Sequence, residues 1–140
     1  MRFDSLQDWL DWQSSLNPQE IELGLDRVRL VWERLGAPPL AAPVLTVAGT
    51  NGKGSSVAFA EAILQAAGYR TGCYTSPHLL HYNERIRLDG HSVDDDRICA
   101  AFEQINNARA DLPLTYFEFG TLAALWIFAH ARLDAVILDC

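Results

Sequence analysis

Apolar positions along the chain switch between two periods. From Asp4 to about Ser14, Leu6, Trp9, Leu10 and Trp12 make one apolar helical face. Asn17-Pro18-Gln19-Glu20 is a helix-start signal: a capping asparagine, proline at the first helical position and a capping-box glutamate. Leu25, Val28, Val31, Trp32 and Leu35 then recur at helical spacing up to Gly36, a helix stop. Gly24 interrupts this pattern and marks a place of close backbone approach. The proline-rich stretch from Ala37 to Pro43 is a stiff connector. Val44–Ala48 is short, apolar and β-branched, as in a strand buried on both faces. Val57–Ala67 is rich in helix formers and stops at Gly68. Arg70–Thr75 predicts a second strand, Ser76–Gly90 is polar and turn-rich, and Asp94–Arg109 predicts a helix with an acidic start. Thr115–Arg132 holds a mostly apolar helix, and Asp134–Leu138 predicts a third strand. Strands alternating with helices predict an α/β fold: a doubly wound, mainly parallel sheet with flanking helices.

Composition narrows the picture. The 140 residues are enough for one domain with a real core. A net charge of −7 without a basic run argues against nucleic acid as partner. The longest apolar stretch, around Thr121–Ala131, contains His130 and is too short to span a membrane. The N-terminal stretch has acidic residues and no long apolar run, unlike a signal peptide. Three cysteines, Cys73, Cys99 and Cys140, without C-x-x-C spacing point to neither zinc nor a disulfide framework, and to a reducing cytoplasm. His78 and His81 lack further metal ligands, and Asp94-Asp95-Asp96 reads as a solvated helix start.

The chemistry gathers at Gly49–Ser56. Lys53 is the only lysine in a chain with ten arginines, and it lies among Gly49, Gly52 and Gly54. A buried strand, a glycine-rich turn and a helix start form a phosphate-binding setting. Backbone N–H groups converge there, the helix N-terminus adds positive potential, and lysine supplies a mobile charge. The common pattern G-x-x-x-x-G-K-[ST] is met imperfectly. Val47 stands at the first glycine position, and Gly54 pushes the hydroxyl one residue late, to Ser55 or Ser56.

That departure has a counterpart. Gly49–Ser55, reading GTNGKGS, together with YTSPHL, YNERIR and TYFEFGT, resembles the folylpolyglutamate synthase/dihydrofolate synthase family of the Mur-type amide ligases. The likeness runs along essentially the whole chain. It implies an ATP- and Mg2+-dependent enzyme that joins L-glutamate to dihydropteroate or folate through an acyl phosphate. It implies that Thr50, Asn51, Gly52, Lys53, Gly54 and Ser55 hold the ATP phosphates, with Lys53 catalytic. Ser76 and Asp139 would be metal ligands, Asp139 standing where the family has glutamate. Glu22, Leu23, Gly24, Leu25, His78, Thr115, Tyr116, Phe117 and Glu118 would line the pterin site. Glu118 in its apolar segment is either a hydrogen-bonded structural group or a site residue, and the resemblance favours the site. Arg85 and Arg87 are open between an anionic substrate and solvent. Trp9, Trp12, Trp32 and Trp126 read as packing. Family members are much longer, so the resemblance implies an N-terminal piece of the ATP-binding domain with an unfinished sheet edge, inactive alone and monomeric at full length. The rivals are a non-catalytic nucleotide-binding fragment and a Mur-type peptidoglycan-precursor ligase. Gly54, TYFEFGT and YNERIR weigh against the latter.

Overall fold

In the computed structural model the described residues are 5–16, 25–40, 42–47, 53–76 and 80–139. The chain divides into two compact units: Met1–Pro39 with Asp95–Ile127, and Leu40–Asp94 with Phe128–Cys140. The first division falls within the proline-rich connector.

The first unit is helical. It holds α1 (Leu6–Leu16), α2 (Leu25–Arg34), α4 (Asp95–Arg109) and α5 (Tyr116–Ala129) up to Ile127. On α1, Leu6, Trp9, Leu10 and Gln13 are buried at helical spacing, and on α4 Ile98, Ala101, Phe102 and Ile105 are too. Aromatic rings join these helices. Trp9 meets Phe102 at 5.8 Å, Trp12 meets Phe119 at 5.7 Å, and Phe102 meets Phe119 edge-on at 6.1 Å. Arg109, in the last turn of α4 where a cation suits the dipole, lies over Trp12 and Phe119. Its Nε also donates to Asn106 Oδ1 at 2.9 Å. As expected, α2 stops at Gly36, which has φ +95°.

Gln13 breaks the apolar rule. It is fully buried, and neither Oε1 nor Nε2 has a hydrogen-bond partner among the described residues. Replacing Gln13 with leucine removes a desolvated amide of similar volume. It is expected to raise stability by about 1 kcal/mol, read as a higher urea midpoint at an unchanged slope. An unchanged or lower midpoint would show the amide to be satisfied.

Among the described residues the second unit is built on a sheet of five strands in the order β1-β5-β2-β3-β4. These are β1 (Val44–Val47), β2 (Thr71–Tyr74), β3 (Ile86–Leu88), β4 (His91–Ser92) and β5 (Ala135–Asp139). β5 pairs in parallel with β1 and β2, as the α/β pattern predicts. Between β1 and β2 runs α3 (Lys53–Ala66), which packs on these parallel strands and stops before Gly68 at φ +90°. Alternation along the strands sends Cys73 and Ile137 to one face, against Val57, Ala60 and Leu64 of α3. Gly72 faces the other way. A Cβ there would come within 2.6 Å of Leu133 and 2.8 Å of Phe128, so only glycine lets these side chains lie on the sheet. Both faces of β2 and β5 are thus covered, whereas β1, expected from its apolar run to be buried on both faces, is an edge strand with Val44, Leu45 and Thr46 exposed.

The hairpin of β3 and β4 adds a strand, Ile86–Leu88, to the stretch Ser76–Gly90 that the sequence marks as polar and turn-rich. Ile86–Leu88 extends the sheet antiparallel to β2, and His91–Ser92 pairs with β3 in turn. Its two-residue connection, Asp89 at φ 53° and Gly90 at φ 85°, is the Asp-Gly turn that hairpins favour. The opposite edge of the sheet is β1, where Val44 and Leu45 are 45% and 48% exposed. On α3, Phe59 and Ile63 are also exposed, at 72% and 61%.

Candidate functional site

The parallel strands bring several candidate positions to one edge. Val47 ends β1 opposite Asp139, the last residue of β5. Tyr74 ends β2 opposite Leu138, so Thr75 and Ser76 continue the chain beside that end of β5. Lys53, Gly54 and Ser55 form the first turn of α3, the helix that follows β1. The carboxyl ends of parallel strands and a helix N-terminus therefore meet, the usual place for a ligand in an open α/β sheet. Ser76 is half-buried in a bend after β2. The loop residues Thr50, Asn51 and Gly52 lie outside the described residues, as do Glu22, Leu23, Gly24 and His78. Among the described residues no group of three or more His, Cys, Asp or Glu side chains is placed to hold a metal ion. A cavity of about 460 Å³ lies at the opposite ends of these strands, lined by Arg70, Phe128, Asp134 and Val136 among others, and includes no candidate site residue.

Behind this edge is an ion pair that sequence reasoning missed. Arg87 on β3 grips Glu61 on α3 with two hydrogen bonds, Nη2 to Oε1 at 2.8 Å and Nε to Oε2 at 3.2 Å. Arg87 Nη2 also donates to Cys73 Sγ at 3.3 Å, and Nη1 to the Glu84 carbonyl at 3.3 Å. Burial pushes the guanidinium pKa down, but the hydrogen bond to Glu61 and the charges of Cys73, Glu61 and Glu84 outweigh it, so the net direction is up. Arg87 is thereby neither a solvated loop residue nor a free anion receptor. Arg85 is buried, whereas Arg87 is half-buried, and the Arg85 guanidinium lies 5.1 Å from the centre of the Tyr82 ring. The one available signal was a lone acid, Glu61, in an apolar helix.

A second cluster lies in the helical unit. Thr115 and Glu118 bracket the start of α5 in a reciprocal capping box. The Thr115 N–H donates to Glu118 Oε1 at 2.9 Å, and the Glu118 N–H donates to Thr115 Oγ1 at 3.1 Å. Arg27 completes the site as a planar fork, Nε to Oε1 at 3.2 Å and Nη2 to Oε2 at 3.0 Å. The Glu118 side chain is fully buried, whereas that of Arg27 is 32% exposed. The geometry makes Glu118 a hydrogen-bonded, charge-paired group. Tyr116 and Phe117, between the two capping residues, are half-buried. Leu25 opens α2, two residues before Arg27. The capping box was legible as T-Y-F-E ahead of an apolar run; Arg27 was not. The buried Cys99 offers no nucleophile: burial, then Asp95 and Asp96, push its thiol up to about 11.

No family model matches the chain. The curated dihydrofolate synthase/folylpolyglutamate synthase of Escherichia coli is 51% identical over 134 residues, covering 96% of this chain and 32% of that protein. The Haemophilus influenzae enzyme of the same name is 44% identical, with 96% and 30% covered. Among solved structures, Escherichia coli FolC in complex with DHPP and ADP superposes with a TM-score of 0.92 at 50% identity, covering 97% of this chain and 33% of that one. A bifunctional folylpolyglutamate synthase/dihydrofolate synthase with Mn, AMPPNP and L-glutamate bound gives 0.89 at 49% identity, with 97% and 33% covered. The chain spans about a third of the length of the relatives it matches. Likeness of sequence and of fold along nearly every residue agree, and the chain belongs to the dihydrofolate synthase/folylpolyglutamate synthase family.

Proposed function

We propose that this chain is the N-terminal, nucleotide-binding part of an ATP-dependent ligase that adds L-glutamate to dihydropteroate, to folate or to both. The observation that carries this reading is the strand edge where the Lys53 helix start, Ser76 and Asp139 come together. Its support is the kinship with proteins solved with ADP and DHPP, and with AMPPNP, Mn and L-glutamate.

In this reading Thr50, Asn51, Gly52, Gly54 and Ser55 cradle the phosphates, and Lys53 neutralises charge on the group in transfer. A carboxylate is a poor electrophile, so the reaction first converts it to an acyl phosphate. A carboxylate oxygen attacks the γ-phosphorus and ADP departs. The glutamate amine then attacks the acyl carbon, loses a proton and expels inorganic phosphate. The chain's part is positioning and charge neutralisation. Ser76 offers a hydroxyl and Asp139 a carboxylate, hard oxygen donors that suit Mg2+. That ion, when bound, shields the phosphates and the developing charge. Glu22, Leu23, Gly24, Leu25, His78 and Thr115–Phe117 form the pterin side, with Glu118 supporting them. The cytoplasm is the expected compartment; no described helix is long and apolar enough to cross a membrane.

The exposed Val44, Leu45, Phe59 and Ile63 favour a sheet edge and a helix face that further polypeptide covers. The test follows phosphate release by the natural gene product. Release that requires ATP, dihydropteroate (or folate) and glutamate together is the expected result. Binding of Mg-ATP without release under any combination would favour a nucleotide-binding role and overturn the ligase.

A further inference from the structure

Arg27 occupies the first turn of α2, where the helix dipole disfavours a cation. Its presence there is explained by Glu118, 91 residues away in sequence. The guanidinium spans both carboxylate oxygens, and Oε1 also accepts from the Thr115 N–H at 2.9 Å. Thr115 in turn accepts from the Glu118 N–H. Both ends of the four-residue stretch Thr115-Tyr116-Phe117-Glu118 are therefore tied, and that turn is held against the start of α2. A bidentate fork fixes an angle as well as a distance, which a single ammonium contact does not.

We propose that Arg27 is a positioning residue for the pterin-bearing substrate: through Glu118 it sets the orientation of the Tyr116–Phe117 turn on which the flat heteroaromatic ring is received. The proposal rests on the folate-ligase reading above. Arg27 itself touches no reacting atom.

The experiment uses the natural gene product with Arg27→Lys, Arg27→Gln, Glu118→Gln and the double Arg27→Gln/Glu118→Gln variant. KM for dihydropteroate, KM for ATP and the thermal midpoint are measured for each. Misplaced binding groups cost on the order of ten- to a hundredfold, so each single variant at Arg27 is expected to raise KM for dihydropteroate about tenfold or more, with KM for ATP within about twofold. Arg27→Lys keeps the charge and isolates the loss of the fork. The double variant leaves no unpaired buried charge. It is expected to recover the thermal midpoint lost by Arg27→Gln while keeping the raised KM. Recovery of KM together with the midpoint, or a parallel rise in KM for ATP, would mark the pair as a stabiliser of the fold only and overturn the proposal. So would unchanged KM for dihydropteroate in every variant of an active enzyme. A wild-type protein that binds Mg-ATP but does not turn over dihydropteroate or folate removes the folate reading and this proposal with it.

Discussion

The Lys53→Ala variant is expected to lose turnover by about 10²- to 10³-fold, the usual effect of removing one preorganised donor from a developing anion, and to bind Mg-ATP more weakly. The fold should survive. Lys53 opens α3, where a cation opposes the helix dipole, so alanine relieves a small unfavourable term. A chain that uses arginine everywhere else keeps its one lysine at a position where helix stability gains nothing from it. Lys53→Arg should be nearly as damaging, because the wide planar guanidinium does not replace a compact ammonium on a flexible stem. Steady-state kinetics, nucleotide titration and a thermal melt together make the check. Unchanged nucleotide affinity and turnover with Lys53 absent would remove the phosphate-loop assignment.

Arg87→Ala is expected to be the most destabilising single change considered. It leaves the Glu61 carboxylate, on a residue only 8% exposed, without its bidentate partner, and it strips hydrogen bonds from Glu84 and Cys73. Removing one member of a buried pair costs about 3–5 kcal/mol. The Arg87 side chain is 22% exposed, so the lower end applies, about 3 kcal/mol. In a domain of this size that lowers Tm by roughly 10 °C. Replacing both partners with apolar residues, Glu61→Leu with Arg87→Met, should recover most of the loss, since the stranded charge is then gone. A single variant that melts with the wild type would mean that water reaches Glu61 and that the pair contributes little.

Local patterns made much of the fold legible. Gly36 and Gly68 are left-handed helix stops where the sequence called for them. The parallel strands fall within a residue or two of their predicted bounds, β1 and β5 because each is a short run rich in β-branched residues. The hairpin was harder to see. Three- and two-residue strands carrying Arg87, His91 and Ser92 show no alternation to detect, although Asp89-Gly90 was a sufficient turn signal. Gln13, a polar side chain that no local pattern singles out, lies in the buried stripe of α1 with Leu6, Trp9 and Leu10.

By itself the sequence determined the α/β alternation, the glycine loop with its single lysine, and the helix stops at Gly36 and Gly68. All three are written in residues within a few positions of one another, where backbone sterics and helix-end hydrogen bonding act. Tertiary structure alone decided the strand order that brings Asp139 between the ends of β1 and β2, and the pairing of Arg87 with Glu61 and of Arg27 with Glu118. A charge carries no mark of its partner in the one-dimensional chain. Its partner is whichever opposite charge the packed elements bring within about 3–4 Å as water is excluded, and that is a property of the fold.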